Sequence, residues 1–417
     1  MTKIALPYAA GVICEFNPFH NGHAYLLRTV RKKIGESGCI ICVMSGCFVQ
    51  RGEPAAADPY LRAQTAIHGG ADLVVELPFP WSASCAEFFS NAGISILSKL
   101  KAKMISFGSE TCDLSLLQSA ANVLQSPAFR LQSADLIRNG KGAADAVTTL
   151  LRQSIDAASG KNCPDEFPSS NDILAIHYLR AMHASSSKML PFPVLRIGQA
   201  YRDKTLLDPS APSANALRQI MQDAADEPDR LSSLLADAMP PHILQLWLDE
   251  IRAGNAPAGD TSLLSFMHTF FRLADPDYLT DFPGLSGGLS HRLVQSALET
   301  PTYDAFLRSI QSRLYTNARL RRAMLYAVLG VKDSDLHSPP VYTALLAANR
   351  RGCFYLKCLR AIYKECGRTV PIVTKPADAP ACRQTELSLR ANALFTLCLP
   401  KPATAESRLK KKPYIQI

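Results

Sequence analysis

The residues with the clearest chemistry are two histidines at a fixed spacing, His20-Asn21-Gly22-His23. Imidazoles donate hydrogen bonds to phosphate oxygens, and a glycine between them lets the backbone come close to a ligand. Before them, Val12-Ile13-Cys14 is apolar and β-prone; the chain then breaks at Asn17-Pro18, and Ala24, Leu27 and Val30 share one helical face. This predicts strand, tight loop, helix. Both rings then fall at a helix N-terminus, where free N–H groups and the positive dipole end already favour an anion. With nine His and 22 Gly in 417 residues, His-x-Gly-His arises by chance about once in a hundred such chains. Two surface histidines beside a turn glycine is therefore the minor reading. A second anion site is written in Pro212-Ser213-Ala214-Asn215-Ala216-Leu217-Arg218, a serine at a helix cap with an arginine one turn in. Alone it is no stronger than an ordinary helix start.

The elements that must position these groups alternate. Cys39 to Met44 reads as a buried strand, and the loop Ser45 to Ala57 exposes Gln50, Arg51 and Glu53. Asp58 can cap a helix to about His68 that Gly69-Gly70 ends. Asp72 to Leu77 is a third strand, Ser82 to Leu97 is helical, and Met104 to Phe107 is a fourth strand running into Gly108-Ser109-Glu110. This order predicts an α/β fold with a doubly wound parallel sheet, whose ligands sit at the carboxyl ends of the strands. No GxGxxG or GxxxxGK[ST] occurs, which weakens dinucleotide-binding and P-loop readings. Residues 113 to 190 read as mostly helical, with the loop Gly160 to Ser170 before Asn171-Asp172, a cap for a helix from Ile173 to Met182. Val194 to Ile197 reads as a strand carrying Arg196.

From Asp226 the pattern turns helical, over Arg230 to Ala238, His242 to Ala253, Thr261 to Leu273 and Leu289 to Leu298. Leu307 to Leu329 reads as one long helix with its arginines on the outer face. Val341 to Ala347, Cys353 to Cys366 and Pro371 to Thr374 read as strand, helix, strand. Two parts follow, residues 1–225 as a catalytic nucleotide-binding domain and 226–417 as a mainly helical, basic domain.

The 45 Lys and Arg against 36 Asp and Glu give +9, which permits an anionic partner without demanding one. Arg308, Arg313, Arg319, Arg321 and Arg322 form a basic stretch with no acid among them, and Lys410, Lys411 and Lys412 lie near the end. A solvated helix face is an equal reading on charge alone. No apolar run approaches the length of a membrane span. Met1 to Cys14 has the outline of a secretory leader, but cleavage there would remove the strand that presents the histidines. Twelve cysteines in so long a chain suggest reduced thiols in the cytoplasm. Cys39 and Cys42 are three apart on a strand and point to opposite faces, so a metal or redox pair is not expected.

The His-x-Gly-His arrangement resembles the nucleotidylyltransferase superfamily, and the match extends further. Gly11 to Leu27, Val43 to Phe79, Phe107 to Glu110, Ser170 to Ala175, Arg196, Ser213 to Arg218, Tyr315 to Leu320 and Pro371 to Lys375 together resemble the bacterial tRNA(Met) cytidine acetate ligase family. The resemblance implies a Rossmann-like nucleotidylyltransferase domain in a cytoplasmic enzyme that uses ATP to turn acetate into acetyl-adenylate. The acetyl group would then pass to the exocyclic amine of the wobble cytidine of elongator tRNA(Met). Carried over by position, Ile13, Cys14, Glu15, Phe16, Asn17, Pro18, Phe19, His20, Asn21, Gly22, His23, Ala24, Tyr25 and Leu26 would line the ATP site. Gly108, Asn171, Arg196, Ser213 and Arg218 would complete it. His20 is expected at the outer phosphates, His23 at the α-phosphate and Arg218 at pyrophosphate, with Arg319, Arg321 and Arg322 on tRNA. A magnesium ion is expected from ATP chemistry, with no carboxylate ligand nameable; no protein partner is implied. The chain departs from the family pattern at Asn215 and Leu217, at Gly287 and at His291. Two other readings are a nucleotidyltransferase adenylylating a small phosphorylated metabolite, and a tRNA-binding protein with a vestigial nucleotide site. The second half of the chain argues against the first, and the survival of all five anion-binding residues against the second.

Overall fold

The computed structural model describes residues 5–159, 163–164, 166–196, 213–312 and 315–417. Ile197, Pro212, Gly160, Arg313 and Leu314, on which sequence expectations fall, lie outside the described residues. The first half alternates as expected. It runs β1 (Ala9–Cys14), α1 (Asn21–Ile34), β2 (Cys39–Ser45), α2 (Pro59–His68), β3 (Leu73–Leu77), α3 (Ala86–Lys99) and β4 (Met104–Ser109). Three helices follow, α4 (Leu114–Gln125), α5 (Pro127–Arg138) and α6 (Ala143–Ser159), then α7 (Ser170–Ala184) and β5 (Leu190–Leu195).

β1 to β5 are mutually parallel in the order β5-β4-β1-β2-β3. Successive side chains of a strand go to opposite faces. Cys39, Ile41 and Val43 therefore enter one apolar layer with α3 and α7, while Ile40, Cys42 and Met44 enter the other with α1 and α2. That alternation also parts Cys39 from Cys42. All twelve cysteines are free thiols.

The helical part comprises α8 (Ala214–Asp223), α9 (Pro228–Leu235), α10 (Pro241–Arg252), α11 (Thr261–Leu273), α12 (Pro276–Leu279), α13 (Leu289–Glu299), α14 (Tyr303–Ile310), α15 (Asn317–Leu329) and α16 (Asp333–His337). The single helix expected over Leu307 to Leu329 is thus two, and the reason is capping. Gln311 is extended (φ −61°, ψ 139°) and closes α14, while the Thr316 hydroxyl accepts from Arg319 N–H and opens α15.

The chain then returns to the sheet with β6 (Thr343–Asn349), α17 (Arg350–Glu365) and β7 (Ile372–Val373), and ends with α18 (Arg383–Phe395), α19 (Ala405–Leu409) and β8 (Tyr414–Gln416). β6 runs antiparallel to β3 and parallel to β7 and β8. The fully buried Asp72 holds this seam, accepting from Ile40 N–H at 2.8 Å and Asn349 Nδ2 at 2.9 Å and pairing with Arg31. No helix among the described residues is long and apolar enough to cross a membrane.

Candidate active site

β1 sits between β4 and β2, the point where the order of winding reverses, and a crevice opens there at the carboxyl ends of the strands. It holds a cavity of about 400 Å³. Both histidines lie on its wall, carried by the first turn of α1.

His20 is the N-cap of α1, a position ordinarily taken by Ser, Thr, Asp or Asn. Its Nδ1 accepts from Gly22 N–H at 3.1 Å, and His23 Nδ1 accepts in turn from His20 N–H at 3.3 Å. Each ring therefore carries its proton on Nε2, and the helix start itself fixes both tautomers. The ring centres lie 3.8 Å apart at 34°, and Phe16 and His23 meet edge-to-face with their centres 4.9 Å apart. A β-carbon on Gly22 would fall 2.9 Å from His20 Cε1, so that residue must stay small while the imidazole is seated.

Burial, then the nearby Arg196 charge, holds the His20 pKa down at about 3. Burial, His20 and Arg196 push His23 well below the usual range. Both are neutral donors in the free protein, and a triphosphate brings the opposite charge that raises both. A folded pKa below the unfolded value means the unfolded chain binds more protons, so stability falls as pH drops from 6.5 toward 3. Asn keeps the cap and removes the titration. His20→Asn is expected to flatten the loss of stability in urea melts between pH 7 and 4. Identical slopes in the two proteins would contradict the buried neutral imidazole.

The loops behind the histidines are tied by one cation. Arg62, on α2 and fully buried, donates Nη1 to Glu15 O at 2.7 Å, Nη2 to Ser45 O at 2.9 Å and to Gly46 O, and Nε to Ala57 O at 3.1 Å. The Glu15 carboxylate accepts Gln50 N–H at 2.8 Å, and burial raises its pKa. Asn17 Oδ1 accepts Ala56 N–H at 2.7 Å, and Asn17 O accepts from Arg218 Nη1 at 2.8 Å. The buried Asn17 Nδ2 has no partner among the described residues, a donor left over beside the cavity.

The opposite wall is built by interlocking carboxylates. Asp172, fully buried, accepts from Ser109 Oγ at 2.6 Å and Glu110 N–H at 3.1 Å; Glu110 accepts from Asn171 Nδ2 at 2.7 Å. The cap of α7 is Ser169, not the expected Asn171-Asp172, which lie inside its first turn. Arg196 follows β5, its N–H donating to Ser109 O at 3.0 Å. Gly108 lines the cavity, and a β-carbon there would meet nothing within 4 Å. Gly108→Val is therefore expected to fill ligand space without straining the fold. Calorimetry should find nucleotide affinity down about tenfold or more with an unchanged urea midpoint; unchanged affinity would place the nucleotide elsewhere.

Of the residues expected at the ATP site, Ile13, Cys14, Glu15, Phe16, Asn17, His20, Gly22, His23, Tyr25, Leu26, Gly108, Asn171, Arg196 and Arg218 line the cavity. Pro18, Phe19, Asn21, Ala24 and Ser213 do not. Phe19 is a fully buried packing ring, Asn21 Nδ2 donates to Asp237 O at 2.7 Å, and the Ser213 hydroxyl caps α8 by accepting Ala216 N–H at 3.1 Å. Sequence reasoning passed over Phe89, Phe107, Leu174 and Tyr178, which also line it. Their only signal is the helical spacing of Leu174 and Tyr178, which an ordinary core face shares.

Arg321 and Arg322 of α15 are not on an outer face. Arg321 Nη1 pairs with Asp260 at 2.7 Å, and Arg322 Nη1 donates to Gln50 O at 3.1 Å, against the loop that lines the cavity. The reason is the packing of the first half onto this helix: the left-handed Gly52 (φ 76°) presses so close that a β-carbon would lie 2.9 Å from Arg322 N. Arg319 stacks over the Tyr315 ring at 4.9 Å.

Paired imidazoles at a helix start, over the winding switch of a parallel sheet, define a nucleotidyl transferase of the HIGH class. A profile of the HIGH Nucleotidyl Transferase family matches residues 8–411. The chain is similar to the tRNA(Met) cytidine acetate ligase of Acetivibrio thermocellus, 31% identical over 94% of this chain and 95% of the relative. It is similar to that of Syntrophotalea carbinolica, 31% identical over 94% of each. Its fold is similar to the crystal structure of Thermotoga maritima TmcAL, apo form I (TM-score 0.88, 27% identical, 98% of this chain and 99% of that one). TmcAL bound with alpha-thio ATP matches with a TM-score of 0.85 at 26% identity, over 98% and 99% of the two chains. The chain belongs to the tRNA(Met) cytidine acetate ligase family and is a ligase.

Proposed function

We propose that the protein binds ATP in this cavity, forms acetyl-adenylate from acetate, and acetylates the wobble cytidine amine of elongator tRNA(Met). The observation that carries the proposal is the neutral histidine pair, two Nε2–H donors fixed by backbone bonds at a helix N-terminus. An acetate oxygen attacks the α-phosphorus, an O–P bond forms, and the bond to pyrophosphate breaks. His23 stabilises charge at the α-phosphate, His20 holds the outer phosphates, and Arg218 and Arg196 neutralise pyrophosphate as it leaves. The cytidine amine then attacks the acetyl carbon, loses a proton and releases AMP, giving N4-acetylcytidine. Among the described residues no group of three His, Cys, Asp or Glu is arranged to hold a metal ion. A magnesium ion bound with the triphosphate would supply neutralising charge at the phosphate oxygens.

The division after residue 225 is functional, the nucleotide chemistry before it and RNA binding after it, in the cytoplasm. Arg319 and Tyr315 offer a cationic and stacking contact to RNA. Arg321 and Arg322 contribute charge from anchored positions. Arg319→Ala is expected to weaken tRNA binding and flatten its salt dependence by about one unit of slope, with acetate activation intact; an unchanged slope removes Arg319 from the interface. Arg322→Ala disturbs both steps, because it also frees the Gln50 loop. The proposal is tested by incubating elongator tRNA(Met) with ATP, acetate and the protein, digesting the RNA and examining its nucleosides. N4-acetylcytidine that depends on acetate is expected; its absence, with a phosphorylated metabolite adenylylated instead, would overturn the reading.

A further inference from the structure

The cavity lining draws apolar residues from the two layers packed on either face of the sheet. On one side, Leu26 of α1 packs in the layer that holds α1 and α2. On the other, Ile13, Phe89, Phe107 and Tyr178 belong to a single packed cluster. A nucleotide needs one flank for its base, since its phosphates occupy the polar centre. The second flank is left for the other reactant.

We propose that the second flank is a short-chain carboxylate slot, in which the Tyr178 hydroxyl donates to a carboxylate oxygen and Phe89 and Phe107 stop the alkyl chain after its methyl group. This rests on the function proposed above. Three observations carry it. The aromatic walls are packed core rings, with Phe89, Phe107 and Tyr178 exposed by only 2%, 4% and 3% and the last two 5.8 Å apart, so a longer chain could be seated only by moving them. Tyr178 is a cavity-wall phenol near the Cys14 thiol and Glu15, and its hydroxyl makes no hydrogen bond among the described residues. Position is the third. Glu15, beside this flank, binds Gln50 N–H, and Arg322 of α15 binds Gln50 O. α15 is thus linked through the Gln50 loop to Glu15, the neighbour of Tyr178 on this flank.

The test is exchange of labelled pyrophosphate into ATP by the full chain with acetate, propionate or butyrate, beside ATP affinity measured without acid. Each extra methylene is expected to slow the wild-type protein about tenfold or more. Phe89→Ala, with Phe89→Leu as the better-packed variant, is expected to bring butyrate within about tenfold of acetate. Tyr178→Phe is expected to raise the acetate KM about tenfold with ATP affinity unchanged and the chain-length order kept. An unaltered chain-length profile in both Phe89 variants, with acetate exchange intact, would overturn the slot. So would loss of ATP affinity in Tyr178→Phe, which would give this flank to the base. A wild-type protein that binds ATP but exchanges with no acid would instead refute the ligase reading itself, and the slot with it.

Discussion

His23→Ala is expected to cut acetate-dependent pyrophosphate exchange about a hundred- to a thousandfold, with ATP affinity changed only a few-fold. The reason lies in what the ring is bonded to. His23 Nδ1 is occupied by His20 N–H, so its one remaining donor, Nε2–H, is held without freedom of tautomer. A donor aimed in advance at developing charge acts mostly in the transition state, and its loss falls on turnover more than on binding. His20→Ala should behave differently. It also removes the helix cap over Gly22 N–H, a stability cost of about 1 kcal/mol that His23→Ala does not share. Equal losses of exchange and of ATP affinity in His23→Ala would make that ring a binding group and leave the α-phosphate role without support.

Arg62→Met is the second large effect, and it falls on the fold. The guanidinium is fully buried and satisfies the carbonyls of Glu15, Ser45, Gly46 and Ala57. Methionine fills the space and leaves those oxygens without a donor. A loss of about 3–5 kcal/mol is expected, the range for stripping one partner from a buried charged network, read as a shift in the urea midpoint. Arg62→Lys should not restore it, because one ammonium cannot reach acceptors spread over two strand ends and a loop. A variant as stable as the wild type would mean these carbonyls find water, and that Arg62 is not what closes the loops at the cavity floor.

Much of this site was legible because its signals are local. His20-x-Gly22-His23, the cap at Asp58 and the strand patterns around Ile41 and Val75 each depend on neighbours in sequence, and each forms as read. What stayed hidden depends on tertiary partners. Phe89 and Tyr178 have the pattern of core residues and are core residues; only the sheet's winding exposes one side of them to a ligand. Arg322 looks like a surface charge until the Gln50 loop is packed against it. The strand at Val341 to Ala347 was readable, but not that its neighbour would be β3, running the other way. The cap at Thr316 interrupts a run whose apolar spacing continues on either side, so periodicity alone reads it as one helix.

The central claim is that the cavity joins acetate to AMP before the acetyl group moves on. Incubating the protein with acetate labelled at both oxygens with oxygen-18, ATP and elongator tRNA(Met), and then weighing the AMP, tests this most directly. The attacking acetate oxygen becomes the bridging oxygen and stays on phosphorus when the amine takes the acetyl group. The account predicts AMP carrying a single heavy oxygen, in step with acetylcytidine formed. AMP without label beside acetylated RNA would contradict it, since the acetyl group would then have travelled without ever being an adenylate.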